Sequence, residues 1–99
     1  MTKPKLLDLY CGDGGAGFGY YLAGFEVIGV DIAPRQYPFE FHQADALAYL
    51  AEHWREFDAI HASPPCQAWS KETAMQYRGN HPKLIAATRD ALLATGKPF

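Results

Sequence analysis

Two groups of residues in this 99-residue chain combine types and spacing that chemistry uses. The first is Gly12-Asp13-Gly14-Gly15-Ala16-Gly17, which satisfies G-x-G-x-x-G directly after one apolar run and before a helical stretch. Glycines in that setting let the backbone come close to a nucleotide. Asp31 follows Gly12 by 19 residues, at the end of the next apolar run, where a carboxylate can accept both hydroxyls of an adenosine ribose. The second group is Ser63-Pro64-Pro65-Cys66-Gln67-Ala68-Trp69-Ser70. Its two prolines stiffen the approach to Cys66, so a thiol there is presented in a fixed direction at little further entropic cost. The chemistry to expect is attack by a thiolate beside an adenosine-containing cofactor.

Two such cofactors compete. A dinucleotide brings a pyrophosphate, which favours the positive end of a helix, whereas S-adenosylmethionine brings a cationic sulfonium and an ammonium. Asp13 lies inside the loop and would repel a pyrophosphate while attracting those cations, so the balance favours the methyl donor; a solvated turn aspartate is the plainer reading of the same residue. Asp45 opens a helix at the rim where an adenine edge would lie. As an N-cap alone it needs no ligand. Cys11, next to the glycine turn, reads as a small buried hydrophobe.

The elements that must position these residues follow from the alternation of apolar runs with helical stretches, the order of a parallel α/β layer. Strands are expected at Lys5 to Tyr10, Glu26 to Asp31, Glu40 to Gln43 and Phe57 to Ala62. The glycine turn runs from Cys11 to Gly17 and leads into a short helix, Phe18 to Ala23, closed by Gly24. Pro34 to Pro38 is a loop, and Asp45 caps a helix reaching Arg55. The 18 residues from Ser63 to Asn80 are long for a structureless connection in a small domain, and such loops are often functional. Pro82 suits the first turn of a last helix through Leu93, with Leu84, Ile85, Thr88, Ala91 and Leu92 on one face and Gly96 after it. Lys97-Pro98-Phe99 reads as the start of a fifth strand, so the expected fold is a Rossmann-like α/β domain truncated there, with residues 1–99 its first part.

Composition narrows the setting. With 48% hydrophobic residues the chain can bury one modest core, enough for one domain or a piece of one. No run approaches the ~20 apolar residues of a membrane span and no signal sequence is visible, so the expected location is the cytoplasm, away from membranes. Two cysteines, far apart and outside any Cys/His cluster, signal neither a disulfide framework nor a metal site. The net charge of −2 is unevenly spread: residues 1–63 carry four Lys/Arg and nine Asp/Glu, and the remainder five against two. An acidic first part suits a small cationic ligand, and the basic last third could face phosphates or form a solvated helix face.

Asp8-Leu9-Tyr10-Cys11-Gly12-Asp13-Gly14-Gly15 and Pro64-Pro65-Cys66-Gln67 closely resemble the first and fourth motifs of DNA cytosine-5 methyltransferases. The resemblance spans nearly the whole chain. It implies an S-adenosylmethionine-dependent enzyme in which Cys66 attacks the base. It further implies that Tyr10 packs on the adenosine, Gly12, Asp13, Gly14 and Gly15 form the cofactor loop, and Asp31 holds the ribose. Ile32 and Pro65 would border the adenine, Asp45 would meet its amino group, and Gln67 and Ser70 would lie near the DNA backbone and flipped nucleotide.

The family's ring-protonating glutamate falls on the strand after the helix that follows the Pro-Cys loop, beyond Phe99. Its arginine-containing motif and target-recognition region lie further on, and Asp13 stands where a small residue is usual. The isolated chain is therefore expected to bind cofactor with little or no turnover, and a complementing polypeptide is an expected partner beside DNA. The readings that compete are a pyrimidine methyltransferase acting on RNA or nucleotides, and a degenerate module that binds the cofactor or another chain without catalysis.

Overall fold

Short apolar runs buried on both faces make the centre of a parallel sheet. The computed structural model describes residues 3–63 and 81–99, with backbone alone at 81–84. β1 (Lys5–Leu9) and β2 (Glu26–Asp31) are buried at every position after the first. They are flanked by β3 (Glu40–Gln43) and β4 (Ala59–Ala62). All pairings are parallel, in the order β3-β2-β1-β4. The chain thus moves outward from β1 to β3, then returns to the far side of β1. The switch point lies between β1 and β4, and open α/β sheets bind ligands at the carboxyl end of such a point.

Three helices cover the sheet: α1 (Gly15–Leu22), α2 (Ala46–His53) and α3 (His81–Thr95). Leu7, Leu9, Ile28, Val30 and Ile60 form one face, packed with Ala46 and Leu50 of α2, Phe57, and Leu92 of α3. Each buried aliphatic side chain contributes about 1.5–3 kcal/mol. Leu6, Asp8, Val27, Gly29 and His61 alternate onto the opposite face, where α1 lies. The result is a three-layer α/β architecture, as expected.

Several boundaries differ from expectation, each for a local reason. β1 stops at Leu9 because Tyr10 takes a left-handed φ of 56° that no strand continues through. α1 begins at Gly15, three residues early. Gly14, at φ 104°, caps it, and the Phe18 N–H donates to the Gly14 carbonyl at 2.8 Å, closing the first turn over Gly15-Ala16-Gly17. Its far end is a Schellman turn: Gly24, at φ 102°, donates to Tyr21 O, and Phe25 donates to Tyr20 O at 3.1 Å while its ring meets Tyr20 edge-on.

α2 has the expected cap, with Asp45 Oδ2 accepting from Ala48 N–H at 2.9 Å, but tightens into a 3-10 turn over Trp54–Glu56. Phe57 leaves that turn as a buried core residue, so β4 starts only at Ala59. α3 buries Thr88 and Leu92, whereas Ile85 is exposed and the Leu84 side chain lies outside the described residues. Gly96, at φ 71°, ends α3 as expected. Lys97-Pro98-Phe99 is not a strand, but the Pro98 carbonyl accepts the Ile60 N–H at 2.9 Å along the outer edge of β4. Among the described residues no helix is long and apolar enough to cross a membrane.

Candidate functional site

Parallel register brings the described ones among the expected site residues to one edge. Leu9 pairs with both Val30 and Ala62, and Asp31 pairs with Gln43, so the segments leaving all four strands emerge together. The glycine loop follows β1, Asp31 and Ile32 end β2, Asp45 follows β3, and Ser63 follows β4, its N–H donating to Leu9 O at 3.4 Å. Pro65, Cys66, Gln67 and Ser70 lie outside the described residues.

The glycine loop is held by a carboxylate. Asp31 Oδ2 accepts the Gly12 N–H at 3.0 Å, and Oδ1 accepts the Ala33 N–H at 3.1 Å. Arg35 Nε stands 3.4 Å from Oδ2. Gly12, at φ 57°, and Gly14, at φ 104°, adopt left-handed backbone that side chains disfavour. Gly15 does not, yet a Cβ on Gly12 or Gly15 would meet no atom within 4 Å. Open space over bare backbone at the start of a helix fits the close approach of a ligand.

Around this loop the groups have distinct characters. Asp13 and Asp45 are exposed, and Ile32 presents an apolar surface that is 42% exposed. Tyr10 is half-buried against the core, its hydroxyl 2.8 Å from Thr88 Oγ1. Burial raises its pKa, and the Thr88 bond opposes the shift. Cys11 is buried, and its thiol is pushed up to about 12, first by burial and then by Asp8 and Asp31. It stays protonated at neutral pH and cannot serve as nucleophile. Among the described residues no His/Cys/Asp/Glu group could hold a metal.

The structure adds contacts that pattern reading missed. Asp8, 1% exposed, accepts the Tyr37 hydroxyl at 2.8 Å. Burial raises the Asp8 carboxyl and Asp31 adds to the rise, while the Tyr37 hydrogen bond and His61 oppose it. His61 bridges Tyr20 Oη at 3.1 Å and Ser63 Oγ at 2.9 Å. Its i, i+2 relation to Ser63 at a strand end was the available signal. Tyr37 offered none, because nothing local foretells where its loop folds.

The chain is 30% identical over 80 residues to the type II methyltransferase M.FnuDI of Fusobacterium nucleatum, a match covering 73% of this chain and 23% of that protein. This chain is related to methyltransferases. Its parallel sheet and flanking helices form a Rossmann-like methyltransferase fold. The chain thus spans about a quarter of the length of the relative it matches. No family model matches it, and no solved structure matches it.

S-adenosylmethionine is the cofactor that a methyltransferase relationship brings into question, and the carboxyl edge fits it. Uncovered backbone lies at Gly12 and Gly15, the Asp31 carboxylate stands at the end of β2, and Ile32 offers an apolar surface beside it. Asp13, exposed in the same loop, adds a carboxylate for cationic groups.

Proposed function

We propose that this chain is the cofactor-binding and nucleophile-bearing front part of an S-adenosylmethionine-dependent DNA cytosine-5 methyltransferase. The observation that carries the reading is the shared edge: a glycine loop pinned by Asp31 leaves β1 beside the point where β4 runs into Ser63-Pro64-Pro65-Cys66-Gln67. The similarity to a type II methyltransferase supports it.

In this reading Tyr10, Gly12, Asp13, Gly14, Gly15, Asp31, Ile32, Asp45 and Pro65 surround the cofactor, which supplies a methyl group on a cationic sulfonium. Asp31 Oδ1 has a lone pair left after accepting the Ala33 N–H, while Oδ2 accepts the Gly12 N–H and faces Arg35 Nε, so the carboxylate can still accept a ribose hydroxyl through Oδ1. Asp45 keeps one oxygen clear of its cap bond for the adenine amino group. Cys66 acts as thiolate: its sulfur adds to carbon 6 of cytosine, the 5,6 double bond opens, and an acid protonates the ring nitrogen as carbon 5 becomes enamine-like. The target base leaves the duplex stack before this step, near Gln67 and Ser70. Cys11 takes no part.

In this reading the ring-protonating acid is a glutamate on a polypeptide segment outside residues 1–99. The test is covalent capture of duplex DNA containing 5-fluorocytosine by the chain combined with such a polypeptide. Capture that Cys66→Ser abolishes while cofactor affinity is retained is the expected result. Capture that survives Cys66→Ser, or methyl transfer that prefers RNA or free nucleotides in competition, contradicts the reading.

A further inference from the structure

The loop between β2 and β3 places Tyr37 directly beneath the glycine loop. The Tyr37 hydroxyl donates to Asp8 Oδ2 at 2.8 Å, and its ring fits where two glycines leave room. A Cβ on Gly29 would stand 2.5 Å from ring carbon Cε2, and one on Gly17 would overlap the hydroxyl oxygen. Next to it Pro38 abuts the loop itself, with Cδ 2.7 Å from where a Cβ on Gly14 would be. Gly17 and Gly29 have no left-handed φ, so crowding is what calls for glycine at both positions: Tyr37 comes nearest at each, with Asp8 Oδ2 also 2.9 Å from a Cβ on Gly17 and Cys11 Sγ 2.9 Å from one on Gly29.

At its other end the same connection is tied by Asp31, which accepts N–H groups from Gly12 and from Ala33 at once. The cofactor loop and residues 32–38 are therefore clasped at two points. A segment with glycines at 12, 14, 15 and 17 has little conformational restraint of its own, so its shape depends on what it leans on.

We infer that Tyr37 is a positioning residue for the cofactor: by holding Asp8 and filling the space under Gly14 and Gly17, it keeps the glycine loop in its ligand-accepting shape. The inference rests on the reading that this loop receives S-adenosylmethionine. Tyr37 acts through the loop and needs no contact with the ligand. Without the clasp, binding has to order the loop, and affinity falls by the fraction of time the loop is correctly formed.

The experiment compares the full 99-residue chain with Tyr37→Phe and with Gly29→Ala, whose methyl group would displace the ring and carry its hydroxyl away from Asp8 without altering Tyr37 itself. S-adenosylmethionine affinity is measured by calorimetry, and amide exchange at residues 12–17 by mass spectrometry. Both variants are expected to bind about tenfold more weakly. Exchange at 12–17 should be faster in the free variants and recover at saturating cofactor, with β1 and β2 unchanged. Should Tyr37→Phe unfold because the Asp8 carboxylate is left without a donor, the double variant Asp8→Asn, Tyr37→Phe removes that charge and is measured in the same way. Wild-type affinity together with unchanged exchange would overturn the inference. Failure of the unsubstituted chain to bind S-adenosylmethionine would instead overturn the cofactor reading. In that event the exchange measurement alone decides whether Tyr37 holds the loop.

Discussion

Asp31→Asn tests whether one carboxylate organises the cofactor edge. The side chain is 10% exposed and accepts two backbone N–H groups, at 3.0 and 3.1 Å, with Arg35 Nε at 3.4 Å. Asparagine keeps one acceptor oxygen and turns an NH2 toward the other N–H. One hydrogen bond to a charged acceptor, worth about 1.5–3 kcal/mol, is lost, and the remaining one weakens to a neutral bond. The Arg35 pair, whose side chains are only 21% and 10% exposed, adds to the loss. The expected loss is about 2–4 kcal/mol, a large share of the roughly 5–15 kcal/mol that holds a domain of this size together. At about 4–8 °C per kcal/mol, the melting midpoint should fall by roughly 8–32 °C. Circular dichroism melts checked by urea titration give the value. A midpoint within about 3 °C of the unsubstituted chain, too small a change for one such bond, would refute the reasoning.

Two other outcomes follow from the buried acid and the buried thiol beside it. Because the Asp8 carboxyl is raised in the fold, chiefly by burial, the folded state binds its proton more readily than the unfolded chain does. Asp8 therefore favours folding below its ordinary carboxylate value and loses that advantage as pH rises toward the folded value. Asp8→Asn, which still offers Tyr37 an acceptor, should gain stability relative to the native chain over that rise; urea titrations at a series of pH values read the difference, and a flat difference would contradict it. Cys11, with its thiol pushed up to about 12, should remain unmodified by iodoacetamide at pH 8 in the folded chain and react once urea unfolds it, as peptide mass spectrometry will show.

The parts of the fold that could be read in advance are those decided locally. β2 and β3 have the expected bounds, β2 because it is a short apolar run soon after Gly24, and Asp45 is the cap its position implied. The glycine loop was visible as a pattern, but its geometry was not. The glycine pattern placed Gly15 and Gly17 in a turn, whereas the Gly14 cap and the Phe18 N–H bond to its carbonyl draw both into α1. Tyr10 looked like the last residue of a strand, and its left-handed backbone, which sends the hydroxyl to Thr88 some 78 residues away, depends on α3 being in place. Asp31 could be placed at a strand end, yet its tie to Gly12 and Ala33 requires the loops on both sides to have folded. The chemistry proposed for Cys66 rests on its motif and on where β4 ends.

The most direct measurement of the central claim is calorimetric titration of the 99-residue chain with S-adenosylmethionine and, separately, with NAD. The account predicts binding of S-adenosylmethionine, weakened by Asp31→Asn, and no binding of NAD. Binding of NAD alone would contradict the choice of cofactor, and binding of neither would leave the chain a degenerate module with a methyltransferase fold.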